Sequence, residues 1–132
     1  MKAKSAPVSK ARKRVLIVDD DADIIGLLRT VLLDEGYEVM EASYSLPAMF
    51  QVVRKRPDLI LMDINMPGMN GFELMEQFKT YEETRNVPIV AITGMDTNEA
   101  REIAKGVGCV GFIPKPFDLK RFPGQIAKFI AD

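Results

Sequence analysis

The chain has 132 residues, of which 47% are hydrophobic and 28% charged, an ordinary composition for one globular domain with a sizeable core. It has no histidine and one cysteine, Cys109, which excludes an internal disulfide, a Cys/His zinc site and a Ser-His or Cys-His nucleophile pair. Any metal must be held mainly by oxygen, which favours magnesium, calcium or manganese. The lone cysteine and the absence of an apolar run of ~20 residues predict a cytoplasmic protein without membrane insertion.

The net charge of −1 is unevenly distributed. Six basic residues and no acid lie within residues 1–14, so the remaining residues, 15–132, carry −7. We interpret residues 1–13 as a basic disordered tail, either a flexible leader or a docking or membrane-surface arm. Residues 14–132 form the one predicted domain, and its acidic balance argues against nucleic acid as a partner.

Short apolar runs alternate with helical patterns along the whole chain. The runs predicted as strands are 14–18, 37–42, 59–62, 89–92 and 110–113. The predicted helices begin near residues 22, 46, 71, 97 and 118, with Asp21, Thr97 and Asp118 as N-caps and Gly36 as the end of the first. Strands and helices that alternate in this way predict a single parallel sheet with helices on both faces and right-handed crossovers.

Each helical pattern has a predicted inward face. In chain order these faces are Ile24, Leu28, Val31 and Leu32; Met49, Val52 and Val53; Phe72, Met75 and Phe78; Ala100, Ile103, Ala104 and Val107; and Phe122, Ile126, Phe129 and Ile130. Pro123-Gly124 falls inside the last pattern, so that helix is expected to begin late or to kink.

Side chains that carry chemistry follow the predicted strands where each one ends. They are Asp19, Asp20, Asp63, Thr93 and Lys115. Because the carboxyl ends of parallel strands meet at one edge of the sheet, we expect these groups to lie close together. Three neighbouring carboxylates repel one another unless a cation intervenes. Magnesium takes few carboxylates, keeps several waters and shares phosphate oxygens, so the cluster predicts magnesium and an incoming phosphoryl group.

The residue types suggest a role for each group. Asp63 is the candidate nucleophile that becomes an aspartyl phosphate, and Asp19 and Asp20 are candidate metal ligands, directly or through water. Lys115 offers a positive charge to the phosphate, and Thr93 offers a hydroxyl. Taken singly, each group has another explanation. The first aspartates could form only a solvated helix cap, and Asp63 could be a turn residue. Thr93 could be structural, and Lys115 could be a surface charge. Their joint occurrence at successive strand ends favours a site.

The sequence resembles the receiver domain of two-component response regulators over about residues 14–131, in a stand-alone, single-domain form. The motifs that carry the resemblance are Val-Leu-Ile-Val-Asp-Asp at 15–20, Pro-Asp-Leu-Ile-Leu-Met-Asp at 57–63, Met-Pro-Gly-Met-Asn-Gly at 66–71, Ile-Thr-Gly at 92–94 and Gly-Phe-Ile-Pro-Lys-Pro-Phe at 111–117. The family implies a flavodoxin-like (βα)5 fold with strand order 2-1-3-4-5.

The resemblance also implies an activity. A histidine kinase or histidine phosphotransfer protein would phosphorylate Asp63 in a reaction that needs Mg2+, with Mn2+ as a possible substitute. The implied ligands are Asp20, Asp63 and the backbone carbonyl of Asn65, with Asp19 acting through water. Such a protein is a signalling switch and not an enzyme, beyond its own phosphorylation and dephosphorylation.

The family implies a conformational switch as well. Thr93 would move toward the phosphate, and Phe112, otherwise a plain core aromatic, would change rotamer. A face made of the fourth helix, the fifth strand and the fifth helix would then change protein partners, in a monomer or a phosphorylation-dependent dimer. Lys115-Pro116 matches a position where the peptide bond is usually cis.

Three features depart from the family pattern besides Pro123-Gly124. They are the long basic tail, the Ser45-Leu46-Pro47 entry to the second helix, and the apolar Met95 two places after Thr93. Two other functions stay open. A pseudo-receiver would bind partners without phosphorylation, which the complete set of site residues argues against. A flavin-binding protein of similar topology would need a first loop that cradles phosphate, whereas Asp19-Asp20-Asp21 would repel one.

Overall fold

A computed structural model of the chain describes residues 12–66 and 69–130. The predicted disordered tail therefore lies almost wholly outside the described residues, as do Pro67 and Gly68 of the quoted loop motif. Among the described helices, none combines the length and the apolar composition that crossing a membrane requires.

The five predicted strands and five predicted helices are confirmed, with shifts of a few residues at their ends. The strands are β1 (Arg14–Val18), β2 (Glu38–Ala42), β3 (Leu59–Met62), β4 (Asn65–Met66), β5 (Met69–Asn70), β6 (Ile89–Thr93) and β7 (Gly111–Pro114). The helices are α1 (Ala22–Asp34), α2 (Ser45–Arg54), α3 (Gly71–Thr80), α4 (Asn98–Gly106) and α5 (Phe122–Phe129). Strands β4 and β5 pair as a short antiparallel ribbon that the sequence did not predict.

The other five strands form one parallel sheet in the order β2-β1-β3-β6-β7. When the ribbon strands β4 and β5 are not counted, this is the strand order 2-1-3-4-5 that the resemblance implies. Every residue of β3 is buried, because this strand lies at the centre of the sheet and is covered on both faces. The apolar runs that looked like buried strands are therefore the inner strands of the sheet.

Alternate residues of each strand face opposite sides of the sheet, and a separate core forms on each side. Leu16 packs into the core beneath α2, α3 and α4, whereas Ile17 packs into the core beneath α1 and α5. Phe78 of α3 and Phe122 of α5 are the largest fully buried side chains of the two cores. The predicted coverage of both faces is confirmed.

Two predicted inward residues are in fact exposed. Val53 of α2 is 75% exposed and Ile103 of α4 is 41% exposed. The buried positions are Ala48 and Val52 in α2 and Ala100 and Ala104 in α4. Each pair is four residues apart, which is the spacing of one helix face. Apolar residues lie on two sides of α2, and the prediction placed Val53 on the wrong one. In α4, Ile103 lies at the edge of the face that Ala100 and Ala104 bury.

The helix ends confirm two of the predicted caps and correct the third. Asp21 accepts hydrogen bonds from the backbone N–H groups of the first turn of α1, and Thr97 accepts one from Ala100. Asp118 does not cap α5, which begins four residues later, at Phe122. Its side chain accepts from the N–H of Lys120 and forms a turn instead. Pro123 lies in the first turn of α5, where its missing N–H is not needed, so the late start is confirmed.

Candidate functional site

The backbone places the predicted site residues at one edge of the sheet. The N–H of Asp63 donates to the carbonyl of Val18 at 2.9 Å, and the N–H of Lys115 donates to the carbonyl of Thr93 at 2.8 Å. The sheet hydrogen bonding therefore continues past the strand ends into the residues that carry the chemistry. In this way neighbouring strands hold acidic, hydroxyl and basic side chains within reach of one another.

Lys115 joins the two buried carboxylates of the site. Its Nζ donates to Oδ2 of Asp19 at 2.9 Å and to Oδ2 of Asp63 at 3.0 Å. Asp19 is fully buried and Asp63 is 5% exposed, whereas the Lys115 side chain keeps 19% of its surface exposed. Buried carboxylates are costly unless a cation pairs with them, and one ammonium serves both here.

Each carboxylate is also fixed by the backbone that follows it. Oδ1 of Asp19 accepts from the N–H of Asp21 at 2.9 Å, and Oδ1 of Asp63 accepts from the N–H of Asn65 at 2.9 Å. Both are local bonds to a residue two positions ahead, a pattern that aspartate favours in turns. The Oδ2 atoms of both residues consequently point toward Lys115.

The pKa values of Asp19 and Lys115 are both raised, for different reasons. Burial raises the pKa of Asp19, and its hydrogen bonds from Lys115 and Asp21 oppose the rise without cancelling it. For Lys115, burial lowers the pKa, but hydrogen bonds to Asp19 and Asp63 outweigh it and leave the pKa above its ordinary value. Lys115 therefore stays charged at neutral pH.

The acidic residues fit a hard divalent cation. Asp20 is exposed, and one carboxylate oxygen from each of Asp19, Asp20 and Asp63 lies within 4.8 Å of the others. Three carboxylates around a single lysine leave an excess of negative charge, and carboxylate oxygens are the ligands that Mg2+ prefers. Asn65 begins the β4–β5 ribbon and presents its N–H to Asp63, so its backbone lies beside the cluster.

Thr93 is the last residue of β6 and is fully buried. Its Oγ1 accepts a hydrogen bond from the N–H of Met95 at 3.1 Å. Among the described residues, the Thr93 hydroxyl is thus bonded to the β6–α4 loop and not to the carboxylates. The structure places Thr93 at the predicted edge and ties it to the loop that leads into α4.

Phe112 lies on β7, beside Ala91 of β6, and is half-buried. The guanidinium of Arg101 lies 4.5 Å from the centroid of its ring. Arg101 also pairs with Asp96, with Nε 2.7 Å from Oδ1. Sequence reasoning missed Arg101, because its link to Phe112 depends on how α4 packs against β7. The Lys115–Pro116 peptide bond is cis, as the resemblance implied.

Comparison with known proteins identifies the family. Residues 15–127 match the family model described as response regulator receiver domain. Sporulation initiation phosphotransferase F of Bacillus subtilis is 32% identical over 118 residues, covering 89% of this chain and 94% of that protein. The polar-differentiation response regulator DivK of Brucella anthropi is 33% identical over 120 residues, covering 91% and 98%.

Solved structures agree in fold. The chemotaxis protein CheY4 of Vibrio cholerae superposes with a TM-score of 0.86 at 31% identity, and the match covers 91% of this chain and all of that one. The five-stranded parallel sheet, the acidic edge and these matches lead to one conclusion. The chain belongs to the family of response regulator receiver domains of two-component systems.

Proposed function

We propose that this protein is a stand-alone phosphoacceptor of a phosphorelay, and that Asp63 receives a phosphoryl group from the phosphohistidine of a histidine kinase or histidine phosphotransfer protein. The observation that carries the proposal is the single ammonium of Lys115 between Asp19 and Asp63, with Asp20 at the same edge. A structural salt bridge needs one acid, whereas this arrangement gathers three. The excess suits a site that works with a cation and a phosphoryl group.

In the proposed step, a carboxylate oxygen of Asp63 forms a bond to phosphorus while the phosphorus–nitrogen bond of the phosphohistidine breaks. The imidazole leaves and takes up a proton, and the product is a mixed anhydride on Asp63. Lys115, which is 3.0 Å from Oδ2 of Asp63, is positioned to donate to an oxygen of the incoming group. Thr93 supplies a hydroxyl donor from the neighbouring strand.

We assign Mg2+ to the acidic cluster, with Mn2+ as a possible substitute. Asp20, Asp63 and the backbone carbonyl of Asn65 are the proposed ligands, and Asp19 acts through water. The ion supplies neutralisation of the negative charge that the carboxylates and the phosphoryl group bring together. Lys115 alone offsets one of the three carboxylate charges, which is the reason a second cation is needed.

Phosphorylation is proposed to act through Thr93 and Phe112. A Thr93 hydroxyl that turns to the phosphoryl group gives up its bond from Met95, and the β6–α4 loop is free to move. Phe112 lies on β7 of the α4–β7–α5 face, with Arg101 of α4 over its ring, so the ring can report the change to a partner protein. The downstream target would bind this face, to a monomer or to a phosphorylation-dependent dimer.

The proposal also assigns a role to each part of the chain and a place where the protein works. Residues 14–132 act as one receiver, residues 1–13 as a basic tail, and the protein works in the cytoplasm on protein partners and not on nucleic acid. Its catalytic activity is limited to its own phosphorylation and dephosphorylation.

The test is labelling by a small phosphodonor, such as acetyl phosphate, with and without Mg2+. We expect labelling that stops with a chelator and is abolished in Asp63→Asn. Asp118→Asn, which changes an exposed aspartate outside the cluster, is the matched control and should label normally. If Asp63→Asn labels as well as the parent protein, the site assignment is wrong. If the parent protein does not label but the α4–β7–α5 face still binds a target, the pseudo-receiver function replaces the proposal.

A further inference from the structure

Helix α2 is apolar on two faces, and only one of them packs against the core. Ala48 and Val52 are buried beneath it. On the opposite side, Leu46, Phe50 and Val53 are 72%, 68% and 75% exposed. Their spacing of four and then three residues places these three side chains on one face of the helix. This face has no partner among the described residues.

The exposed face forms one wall of a groove of about 860 Å³. The other wall is the turn after α3, where Tyr81, Glu83 and Thr84 line the groove. Glu83 is the one charged residue among the described residues that line it. Contiguous apolar surface on a small domain marks an interaction site, so the groove is expected to be covered by a further segment or molecule.

Hydrogen bonds link the first strand of the described fold to this groove. The N–H of Arg14 donates to Oδ2 of Asp58 at 2.7 Å, which fixes the start of β1. The guanidinium of Arg14 donates to the carbonyl of Arg56 at 2.8 Å, and Nε of Arg56 donates to the carbonyl of Glu83 at 3.0 Å. Through these two hydrogen bonds, Arg56 connects Arg14 of β1 to Glu83 of the groove.

The preceding residues have the length to run along the groove. Residues 1–11 lie before the described part of the chain, and 11 extended residues span up to ~36 Å. The ten residues of α2 span about 15 Å. The segment is therefore long enough to run the whole length of α2.

The charge of the segment also matches the groove. Residues 1–11 contain three lysines and no acid, and their apolar residues include Ala3, Pro7 and Val8. The apolar residues suit the exposed face of α2, while the lysines suit Glu83 and the solvent, since lysine stems lie on apolar surface with the ammonium in water. A copy of the folded part, with its net negative charge, offers no comparable match to Glu83.

We propose that residues 1–11 dock in the groove between α2 and the 81–84 turn of the same chain. The short tether gives the segment an effective concentration in roughly the millimolar range, so weak contacts are enough to hold it there. Docking would give a role to two features that phosphotransfer does not need, the basic tail and the Ser45-Leu46-Pro47 entry to α2. It does not depend on phosphorylation of Asp63.

The test uses the full chain with a nitroxide spin label attached at Ser5→Cys in a Cys109→Ala background. Amide signals are compared between the paramagnetic and the reduced label by NMR. We expect loss of signal intensity for Met49, Val53 and Thr84, which surround the groove. Signals of Ile126 in α5, on the opposite face of the sheet, should keep their intensity. The reduced-label spectrum shows whether each variant is folded.

Substitutions of exposed residues provide the control. Phe50→Lys puts a positive charge in the groove and should restore the lost intensity, whereas Leu33→Lys, at an exposed leucine of α1, should leave the loss unchanged. A spin-labelled, unenriched chain mixed with an unlabelled, isotope-enriched chain detects contacts between copies. Intensity loss at the groove in that mixture would make a second copy the occupant and overturn the proposal. So would the absence of any loss at the groove in the singly labelled chain.

Discussion

Nζ of Lys115 lies 3.0 Å from Oδ2 of Asp63, the proposed phosphoacceptor. The lysine is supplied by the loop after β7 and the acid by the end of β3, and between them in the sheet lies β6. The proposed nucleophile is thus held in an ion pair before any phosphodonor binds. Part of the charge that a phosphoryl group requires is already in place.

Removing this lysine should leave an uncompensated pair of buried acids. We expect Lys115→Met to lower the free energy of unfolding by about 3 kcal/mol at neutral pH without divalent ions. The deficit should shrink with Mg2+, because a cation in the cluster replaces the lost charge. It should also shrink as pH falls, because burial raises the pKa of Asp19, so the folded state binds its proton more tightly than the unfolded chain does.

Urea unfolding with and without Mg2+, at neutral and acidic pH, measures these effects. Lys120→Met, at an exposed lysine, is the matched control and should change little. A Lys115→Met deficit that responds to neither Mg2+ nor pH would show that the lysine acts through packing alone.

Gly71 permits a close approach between the start of α3 and Ile64, the residue after the proposed phosphoacceptor Asp63. A Cβ added there would lie 2.6 Å from Cα of Ile64, a backbone atom that cannot turn aside. Gly71→Ala should therefore cost about 1–3 kcal/mol of stability. Gly106→Ala is the comparison, since a Cβ there meets no atom within 4 Å outside its chain neighbours and the backbone of its own helix. Thermal unfolding of both variants measures this difference in stability, and equal melting temperatures would contradict the predicted cost of Gly71→Ala.

Cys109 should react slowly with alkylating agents at neutral pH. Burial raises the pKa of its thiol to about 11, against the opposing charge of Lys79 and a backbone hydrogen bond from Ala91. Its Sγ also lies 3.3 Å from Sδ of Met75. The rate with iodoacetamide should rise about tenfold per pH unit beyond pH 8 in the native protein. In urea the rate should level off near the ordinary thiol pKa, and identical profiles in the two states would refute the shift.

The same shift has a consequence for stability. The folded state holds the thiol proton more tightly than the unfolded chain does, so this contribution is complete below the ordinary thiol pKa. It is lost as pH rises toward 11.

Asp21 should stabilise the start of α1 through its side chain. Its Oδ1 accepts from the N–H groups of Asp23 at 2.9 Å and Ile24 at 3.4 Å. Asp21→Ala is expected to lower the free energy of unfolding by about 1 kcal/mol. Asp118→Ala should cost less, because Asp118 accepts from a turn and caps no helix. Chemical denaturation of the two variants compares them directly, and a larger loss for Asp118→Ala would be the opposite of this expectation.

The sequence predicted the sheet and the acidic edge because both are local consequences of short apolar runs. Once β3 is taken as a buried strand, Asp63 has to follow it at the carboxyl end, and the structure places it there. Helix faces were harder to predict. Val53 was assigned inward because apolar residues occupy two sides of α2, and only packing decides which side is buried.

The remaining differences arise from tertiary structure. Asp118 has the chemistry of an N-cap, but Pro123 is accommodated where α5 begins, and that start is four residues later. The position of Arg101 over Phe112 depends on how α4 packs against β7, and the spacing of residues in the sequence does not show this packing.

The ion pair between Lys115 and Asp19 joins residues that are 96 positions apart in the chain. The carboxylates follow β1 and β3, and their cation follows β7. A chain in which β7 has not joined the sheet therefore has the acids without the lysine beside them. Under the proposed function, the site becomes competent to accept a phosphoryl group only when β7 has joined the sheet and brought Lys115 to the two acids.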